Sequence, residues 1–256
     1  MSNHKDLEHN KRIVEQFSKQ AIPFSEVPGH RDFMQLLIQM SGVSSSDNVL
    51  DVACGPGLVA CEFSKVADHV TGIDITAKMI ERARCLQEEK QLTNMGWCVH
   101  DILPLPYSDN DFSIVLTRYS FHHFLKPVEV LAEMIRVCRP GGRVLVADVA
   151  LPSEKSATYD RLEKIRDPSH THALTVPEFE ALFAASGLGH IQRGSYKVEL
   201  ELEQQLKASF PDPGDEEKIR EILRADLHED KLGVGVHLQG NEIHYSVPIE
   251  VFVGRK

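Results

Sequence analysis

The stretch VLDVACGPGLVA, residues Val49 to Ala60, decides the fold of this chain. An apolar run leads into Asp51, a loop with Gly55 and Gly57 follows, and the residues after the loop read as a helix. A strand, a glycine turn and a helix together let backbone N–H groups and a helix N-terminus approach a ligand closely. The carboxylate placed before the glycines is the unusual part of this pattern.

Two further acidic residues end the next two apolar segments. Asp74 closes HVTGID and Asp101 closes MGWCVHD. Together with Asp51 they are predicted to place three carboxylates at three successive strand ends. Such a set indicates a pocket for a ligand that is polar, hydroxylated and partly cationic.

Apolar segments with the character of strands alternate with helical segments from Val49 to Val149. The predicted strands in this region are VLDVA, HVTGID, MGWCVHD, FSIVLTR and RVLVADV. Alternation of this kind predicts a parallel sheet with helices on both faces, and ligands then lie beyond the C-terminal strand ends. Thr76 is predicted to cap the second helix and Pro127 to begin a later one.

The composition sets limits on the class of protein. The chain has 256 residues, a formal net charge of −10 and 42% hydrophobic residues, as expected of a soluble globular protein. The acidic balance argues against general affinity for nucleic acid or anionic membranes. A polar N-terminus and the lack of a long apolar run predict a cytoplasmic protein without membrane insertion. The five widely spaced cysteines predict reduced thiols and no zinc site.

The ordered acids, the glycine loop, LPYSDNDFSIVLTRYSFHHF and CRPGGRVLVADV resemble the class I methyltransferases that use S-adenosylmethionine (SAM). The resemblance covers about residues 49–149 and is nearest to the small-molecule branch, which includes the ubiquinone/menaquinone C-methyltransferases and related bacterial enzymes. It implies an α/β fold with a Rossmann-like, seven-stranded, mostly parallel sheet. It also implies a helical cap over residues 1–42, a SAM-binding domain over 43–256, and insertions near 151–175 and 203–240 that cover the active site.

The resemblance assigns roles to residues of the loop and the strand ends. Asp51 and the glycine loop correspond to the part that holds the methionine moiety, Asp74 to the acid that binds the ribose hydroxyls, and Asp101 to the residue that binds the adenine amino group. The SAM-binding residues implied are Asp51, Ala53, Gly55, Pro56, Gly57, Asp74, Ile75, Met79, Asp101, Ile102 and Arg118.

The loop after the fourth strand is expected to face the methyl acceptor. His122 and His123 are predicted as candidate catalytic residues, because a histidine can orient an acceptor or take its proton near neutral pH. The candidate substrate residues are Tyr119, Asp148, Arg166 and His170, and His172 lies in the same RDPSHTH stretch. The HxH spacing alone does not predict a metal site.

The sequence leaves the acceptor open. Carbon, oxygen and nitrogen are all possible methyl acceptors, and the loop RYSFHHF differs from the FGLRN-like loop of the quinone enzymes. The acidic/Asn–Pro–Pro–aromatic tetrad of adenine methyltransferases is absent from TRYSFHH, which disfavours methylation of nucleic acid bases. The resemblance therefore implies a small-molecule acceptor. A monomer or a homodimer is expected.

Two other functions fit part of the pattern. The residues Gly55 to Ala60 also match the dinucleotide fingerprint G-x-G-x-x-A, which would make the chain an NAD-dependent oxidoreductase. Asp51 opposes this reading, because a carboxylate beside the glycine loop would repel a pyrophosphate and attract a cation. A non-catalytic SAM-binding protein is the second alternative, and an acceptor pocket beside the SAM site would argue against it.

Overall fold

A mostly parallel β-sheet forms the centre of the protein. The computed structural model describes residues 4–256, so the first three residues of the predicted cap lie outside the described part. The strands are β1 (Asn48–Val52), β2 (His69–Asp74), β3 (Met95–Val99), β4 (Phe112–Arg118), β5 (Cys138–Val149), β6 (Gly189–Glu201), β7 (His237–Gln239) and β8 (Glu242–Arg255). Their order in the sheet is β3-β2-β1-β4-β5-β8-β6, and β7 pairs with β8.

Helices connect the strands and precede them. They are α1 (His4–Glu26), α2 (Met34–Ser41), α3 (Leu58–Phe63), α4 (Ala77–Glu89), α5 (Pro127–Val137), α6 (Ser153–Arg166), α7 (Val176–Ala184), α8 (Leu202–Ser209) and α9 (Asp215–Asp226), with short 3-10 helices at Pro28–Arg31 and Phe121–His123. The strands β1 to β5 pair in parallel, whereas β8 runs antiparallel to both β5 and β6. The predicted Rossmann-like, mostly parallel sheet is therefore confirmed.

Both faces of the central strands are buried. Every residue of β4 is buried, and neighbouring residues of β1 point into different hydrophobic cores: Val49 into one, Leu50 and Val52 into the other. Side chains of a strand alternate between the two faces, so near-continuous apolar runs are what a sheet covered on both sides requires. This packing fixes the C-terminal strand ends, where the predicted acids stand.

The N-terminal helix departs from the sequence prediction in one respect. The two prolines Pro23 and Pro28 together predict a break in the N-terminal segment, but α1 continues through Pro23 and ends at Glu26. The proline stands in the last turn of the helix, where the missing N–H removes only one hydrogen bond and few helical residues follow. The break falls near Pro28 instead, where a 3-10 helix begins.

Thr76 occupies the position before α4, as predicted, but its hydroxyl does not cap the helix. The hydroxyl is buried without a hydrogen-bond partner among the described residues, and its backbone N–H donates to Asp74 Oδ1 at 2.8 Å instead. The small strand β7 and the helix α8 were not predicted.

Candidate active site

A cavity of about 720 Å³ lies at the C-terminal ends of β1, β2 and β4, and we call it the main cavity. It brings together most of the residues predicted to bind SAM. Those that line it are Ala53, Gly55, Pro56, Asp74, Ile75, Met79, Asp101, Ile102 and Arg118. Asp51 and Gly57 are not in its wall.

The glycine loop has a left-handed backbone at three positions. Ala53, Gly55 and Gly57 have φ values of 54°, 52° and 79°. At Gly57 a Cβ atom would stand 2.7 Å from the Trp97 ring and 2.9 Å from Ala83, which is closer than atoms can pack. At Gly55 a Cβ atom would meet no atom within 4 Å. Gly57 thus serves packing, while Gly55 leaves the cavity side of the loop open for a ligand.

The two glycines are expected to respond differently to alanine. Gly57→Ala should lower the free energy of unfolding by roughly 3 kcal/mol, because a left-handed backbone and overpacking each cost about 1–2 kcal/mol. Gly55→Ala carries only the backbone cost of about 1–2 kcal/mol. Chemical denaturation of both variants measures the difference. Equal losses would contradict the packing role given to Gly57.

Asp74 organises the loop from the end of β2. Its Oδ2 accepts a hydrogen bond from the Gly55 N–H at 2.9 Å, and its Oδ1 accepts one from the Thr76 N–H at 2.8 Å. Burial raises the pKa of Asp74, although these backbone N–H groups act in the opposite direction. The carboxylate lies in the cavity wall and keeps lone pairs for a ligand.

Asp51 is a buried carboxyl group at the end of β1. It is only 2% exposed, and its Oδ2 has no hydrogen-bond partner among residues 4–256. Burial raises the pKa of Asp51 to about 8; the Asp74 carboxylate adds to this effect, while an Ala60 backbone N–H and Arg118 oppose it. An unpartnered buried oxygen is costly. A cation above the loop would lower that cost.

Asp101 meets the N-terminal helix across the cavity. Its Oδ2 accepts a hydrogen bond from Asn10 Nδ2 at 2.7 Å, and its Oδ1 accepts one from the Ile102 N–H at 2.7 Å. Asn10, His9, Ile13 and Phe17 of α1 all line the main cavity. The helix α1 therefore forms one wall of the cavity and touches the acid predicted to bind adenine.

Arg118 lies in the cavity wall, but its donors are engaged by the protein. It donates to the backbone oxygens of His30 (2.8 Å) and Asp32 (3.1 Å) and to the hydroxyls of Tyr119 (2.6 Å) and Tyr196 (3.2 Å). The guanidinium also stands 4.1 Å from the centre of the Tyr119 ring. These bonds attach the segment after α1 to the end of β4, so the visible role of Arg118 is to position that segment.

A smaller space of about 80 Å³ lies behind the main cavity, and we call it the inner chamber. The two spaces share five wall residues: Phe17, Phe24, His30, Tyr119 and His123. The remaining wall comes mainly from β5, α6, β6, α8 and β8, with Gln20 of α1, the 3-10 helix Phe121–His123 and Asp167, and it includes the predicted residues His122, Asp148 and Arg166. The structure thus brings most of the predicted acceptor residues to one place.

His122 and Asp148 form a pair in the wall of the inner chamber. The distance from His122 Nδ1 to Asp148 Oδ1 is 2.5 Å, and Asp148 also accepts hydrogen bonds from the N–H groups of Phe121 and Val149. Burial lowers the pKa of His122, but the Asp148 carboxylate more than compensates and raises it above the usual value. Asp148 therefore holds the orientation of the His122 ring through its contact with Nδ1.

The other histidines have different surroundings. The His123 ring nitrogen Nδ1 contacts Ser169, and its ring packs edge-on against Phe17 at 5.0 Å. Burial, reinforced by His122, lowers the pKa of His123 well below its usual value. His170 binds Asp160 through Nε2 at 2.7 Å and lies behind the chamber wall, 5.6 Å from the His122 ring centre. His172 also binds Asp160 and lies outside both spaces.

Several wall residues were not predicted from the sequence. In the main cavity they include His9, Asn10, Cys54, Lys126, Glu129 and Glu133. In the inner chamber they include Gln20, Tyr159, Glu163, Asp167, Gln205 and Tyr245. The helical cap expected over residues 1–42 and the insertion expected near 151–175 gave no indication of which faces of α1 and α6 meet the site.

Among residues 4–256 no group of three or more His, Cys, Asp and Glu side chains is arranged to hold a metal ion. Across the same residues, no helix is both long and apolar enough to cross a membrane.

The site agrees with known proteins at the level of the family. The family described as a methyltransferase domain matches residues 43–212, which is more than half of the chain. The chain therefore belongs to the class I SAM-dependent methyltransferases.

Individual relatives show how far the similarity extends. The uncharacterized methyltransferase YcgJ of Bacillus subtilis is 28% identical over 206 residues, which is 79% of this chain and 81% of that protein. The YcgJ crystal structure matches 87% of this chain and 97% of its own at 26% identity, with a TM-score of 0.79. The ubiquinone/menaquinone biosynthesis C-methyltransferase UbiE of Bdellovibrio bacteriovorus is 36% identical over 121 residues, or 46% of this chain and 51% of that protein. The chain thus matches about half the length of that relative.

A more distant neighbour shares the fold alone. The phosphoethanolamine N-methyltransferase 2 of Haemonchus contortus, solved with SAM, covers 87% of this chain and 51% of its own at 14% identity, with a TM-score of 0.63.

Proposed function

We propose that this protein transfers a methyl group from SAM to a small-molecule acceptor. One observation carries the proposal: Asp74 and Asp101 line the same cavity of about 720 Å³ as Gly55 of the glycine loop, and Asp51 is buried at the end of the strand that precedes this loop. The family membership supports it, and the Haemonchus contortus enzyme is an example of this fold solved with SAM.

The residues present suit the chemistry of SAM. The unpartnered Oδ2 of Asp51 favours a cationic methionine moiety above the glycine loop, since opposite charges attract strongly where water is excluded. Asp74 would accept hydrogen bonds from the ribose hydroxyls and Asp101 from the adenine amino group. Ile75, Met79 and Ile102 would contact the adenosine rings, because they supply the apolar part of the wall.

The protein itself contributes position and the exclusion of water. Bound SAM supplies the activated methyl group, which is the difficult part of the chemistry. Alignment of an acceptor about 3 Å from the methyl carbon accounts for several kcal/mol of the lowered barrier. The helix α1 forms one wall of the cavity, and a wall that excludes water would favour a transfer in which the positive charge of the sulfonium is neutralised.

The two alternatives fit the geometry less well. An NAD-dependent oxidoreductase needs a pyrophosphate at the glycine loop, where the buried carboxyl groups of Asp51 and Asp74 stand. A protein that only binds SAM does not need a second space next to the first, and the inner chamber supplies one.

Calorimetric titration of the full chain with SAM, S-adenosylhomocysteine and NADH tests the proposal. Micromolar binding of the first two ligands and no binding of NADH is the expected result. Binding of NADH alone would mean that the glycine loop holds a dinucleotide and that the proposal is wrong.

A further inference from the structure

The inner chamber contains hydrogen-bonding groups that the protein does not satisfy. Tyr159 and Tyr245 are each 5% exposed, and neither hydroxyl has a hydrogen-bond partner among the described residues. Gln205 Oε1, from α8, is buried and also unpartnered within residues 4–256. Buried polar groups are normally bonded to protein or water. Gln205 Oε1 is such a buried group, and the hydroxyls of Tyr159 and Tyr245, from two other elements, line the same chamber; together they indicate a polar ligand.

His122 adds a fourth unsatisfied group. Asp148 occupies its Nδ1, while Nε2 has no hydrogen-bond partner in the described part of the chain. A carboxylate at Nδ1 selects the tautomer that carries its proton there, which leaves a lone pair on Nε2. Both Gln205 Oε1 and His122 Nε2 are then acceptors, so the ligand that satisfies them must donate hydrogen bonds.

The charged side chains of the chamber wall indicate which charge a ligand can carry. The Arg166 guanidinium donates hydrogen bonds to Glu163 Oε1 at 2.9 Å and to Ser209 Oγ at 2.9 Å. The Asp167 carboxylate accepts hydrogen bonds from two uncharged groups, Gln20 Nε2 at 3.1 Å and the Ser169 N–H at 2.9 Å. Burial alone would raise the pKa of Asp167, but His123 and Arg166 lower it to about 2, so it is ionised. Among the described residues of the chamber wall, the Arg166 guanidinium is therefore bonded to other side chains and is not available to an anionic ligand.

We propose that the inner chamber is the acceptor pocket, that it takes a small neutral or cationic molecule bearing a hydroxyl or amine, and that His122 Nε2 accepts the acceptor's proton. This inference rests on the methyl transfer proposed above. The acceptor atom gains the methyl group and loses its proton to His122 Nε2, and the electron pair of the broken carbon–sulfur bond stays on sulfur. Asp148 is a positioning residue that holds the imidazole and stabilises its protonated form.

The charged and titratable groups around His122 come from several elements. They are Asp148 of β5, Glu163 and Arg166 of α6, His123 of the same 3-10 helix, and Asp167 and His170 of the loop after α6. Of these, Asp148 has the largest raising effect on the pKa of His122. Loss of the Asp148 carboxylate should therefore lower that pKa, a change that a merely structural residue would not produce.

The test uses the full chain, labelled with 15N at the histidine rings and saturated with S-adenosylhomocysteine. Three small probes of similar size are titrated at neutral pH: ethylene glycol, ethanolamine and glycolate. The His122 signals, assigned with His122→Gln, should show that Nε2 is the nitrogen that gains and loses the proton while Nδ1 keeps its own, and they should shift with the first two probes but not with glycolate. Gln205→Leu should weaken the response, and Asp148→Asn should lower the His122 pKa.

His172→Gln is the matched control, because His172 also binds a carboxylate, Asp160, at 2.6 Å but lies outside the chamber. It should leave the probe response unchanged. A stronger response to glycolate, no response to any probe, or a His122 pKa that is unchanged in Asp148→Asn would each overturn the inference. Because Asp148→Asn also removes backbone contacts and can fail to fold, Gln205→Leu supplies an independent variant.

Calorimetry on the same samples separates this inference from the proposed function. If S-adenosylhomocysteine does not bind, the proposed function fails and the inference fails with it. If it binds with micromolar affinity and the probes behave contrary to expectation, only the assignment of the chamber and of His122 is wrong.

Discussion

Alanine in place of Asp74 is expected to weaken SAM binding by about 100-fold or more, because hydrogen bonds to a charged group contribute about 1.5–3 kcal/mol each and two ribose hydroxyls would be lost. The carboxylate also fixes the loop through the N–H groups of Gly55 and Thr76, so part of the loss comes from a less ordered cradle. Calorimetric titration of wild type and variant with SAM measures the change in affinity.

Asp68→Ala is the control for that experiment. Asp68 is exposed and directly precedes β2, whereas Asp74 ends the same strand at the cavity. The Asp68 variant should bind SAM as the wild type does. Asp74→Asn, which keeps one oxygen and the size of the side chain, should lose less affinity than Asp74→Ala. Near-wild-type binding by Asp74→Ala would remove Asp74 from the SAM site.

SAM binding is expected to strengthen as the pH rises from about 6 to 8, and Asp51 is the cause. The pKa of Asp51 is raised to about 8 in the free protein, chiefly by burial, so the carboxyl group is mostly protonated at neutral pH. A cationic ligand favours the ionised form and lowers the pKa. Between the bound and the free pKa the affinity gains up to about tenfold per pH unit, and above pH 8 it levels off. Asp51→Asn should lack the part of the pH dependence that Asp51 causes. Any pH dependence that remains in this variant comes from other groups, including those of SAM itself.

The same group affects the stability of the ligand-free protein with the opposite sign. A pKa raised from 3.8 to about 8 means that the folded state holds the proton more tightly than the unfolded state. The contribution of Asp51 to stability is therefore fully present below pH 3.8 and is lost as the pH rises through 8. Burial of the ionised form costs on the order of 5 kcal/mol. Asp51→Asn should raise the melting temperature at pH 8 and change it little at pH 4; a lower melting temperature at pH 8 would disprove this linkage.

The parts of the site that are continuous in sequence could be predicted, while those made by distant segments could not. The loop from Asp51 to Gly57 and the acids at Asp74 and Asp101 follow strands whose apolar runs are easily recognised, and parallel strands bring their ends to one edge. The contact of Asn10 with Asp101 depends instead on how α1 packs across the sheet. The local sequence pattern of α1 does not determine where this helix packs on the sheet.

The inner chamber is also formed by segments that are distant in sequence, so most of its composition could not be predicted. His122, Asp148 and Arg166 were predicted as candidates from a resemblance, and the pair formed by His122 and Asp148 appears only when β4 and β5 lie side by side. Gln205 and Tyr245 carried no signal, because each is a single polar residue in an otherwise amphipathic or alternating segment. Their significance arises from an unsatisfied hydrogen-bonding group, which only a three-dimensional structure reveals.

The position of α1 has a consequence for the kinetics of turnover. This helix lines both spaces through Phe17, is bonded to Asp101 through Asn10, and is held at Ser209 by the side chains of Gln16 and Gln20. Displacement of this one helix would open the routes out of both spaces together. The rate at which product leaves would then depend on how firmly α1 is held rather than on the affinity of either pocket, and a slow helix motion would set the limit on turnover even when the chemical step is fast.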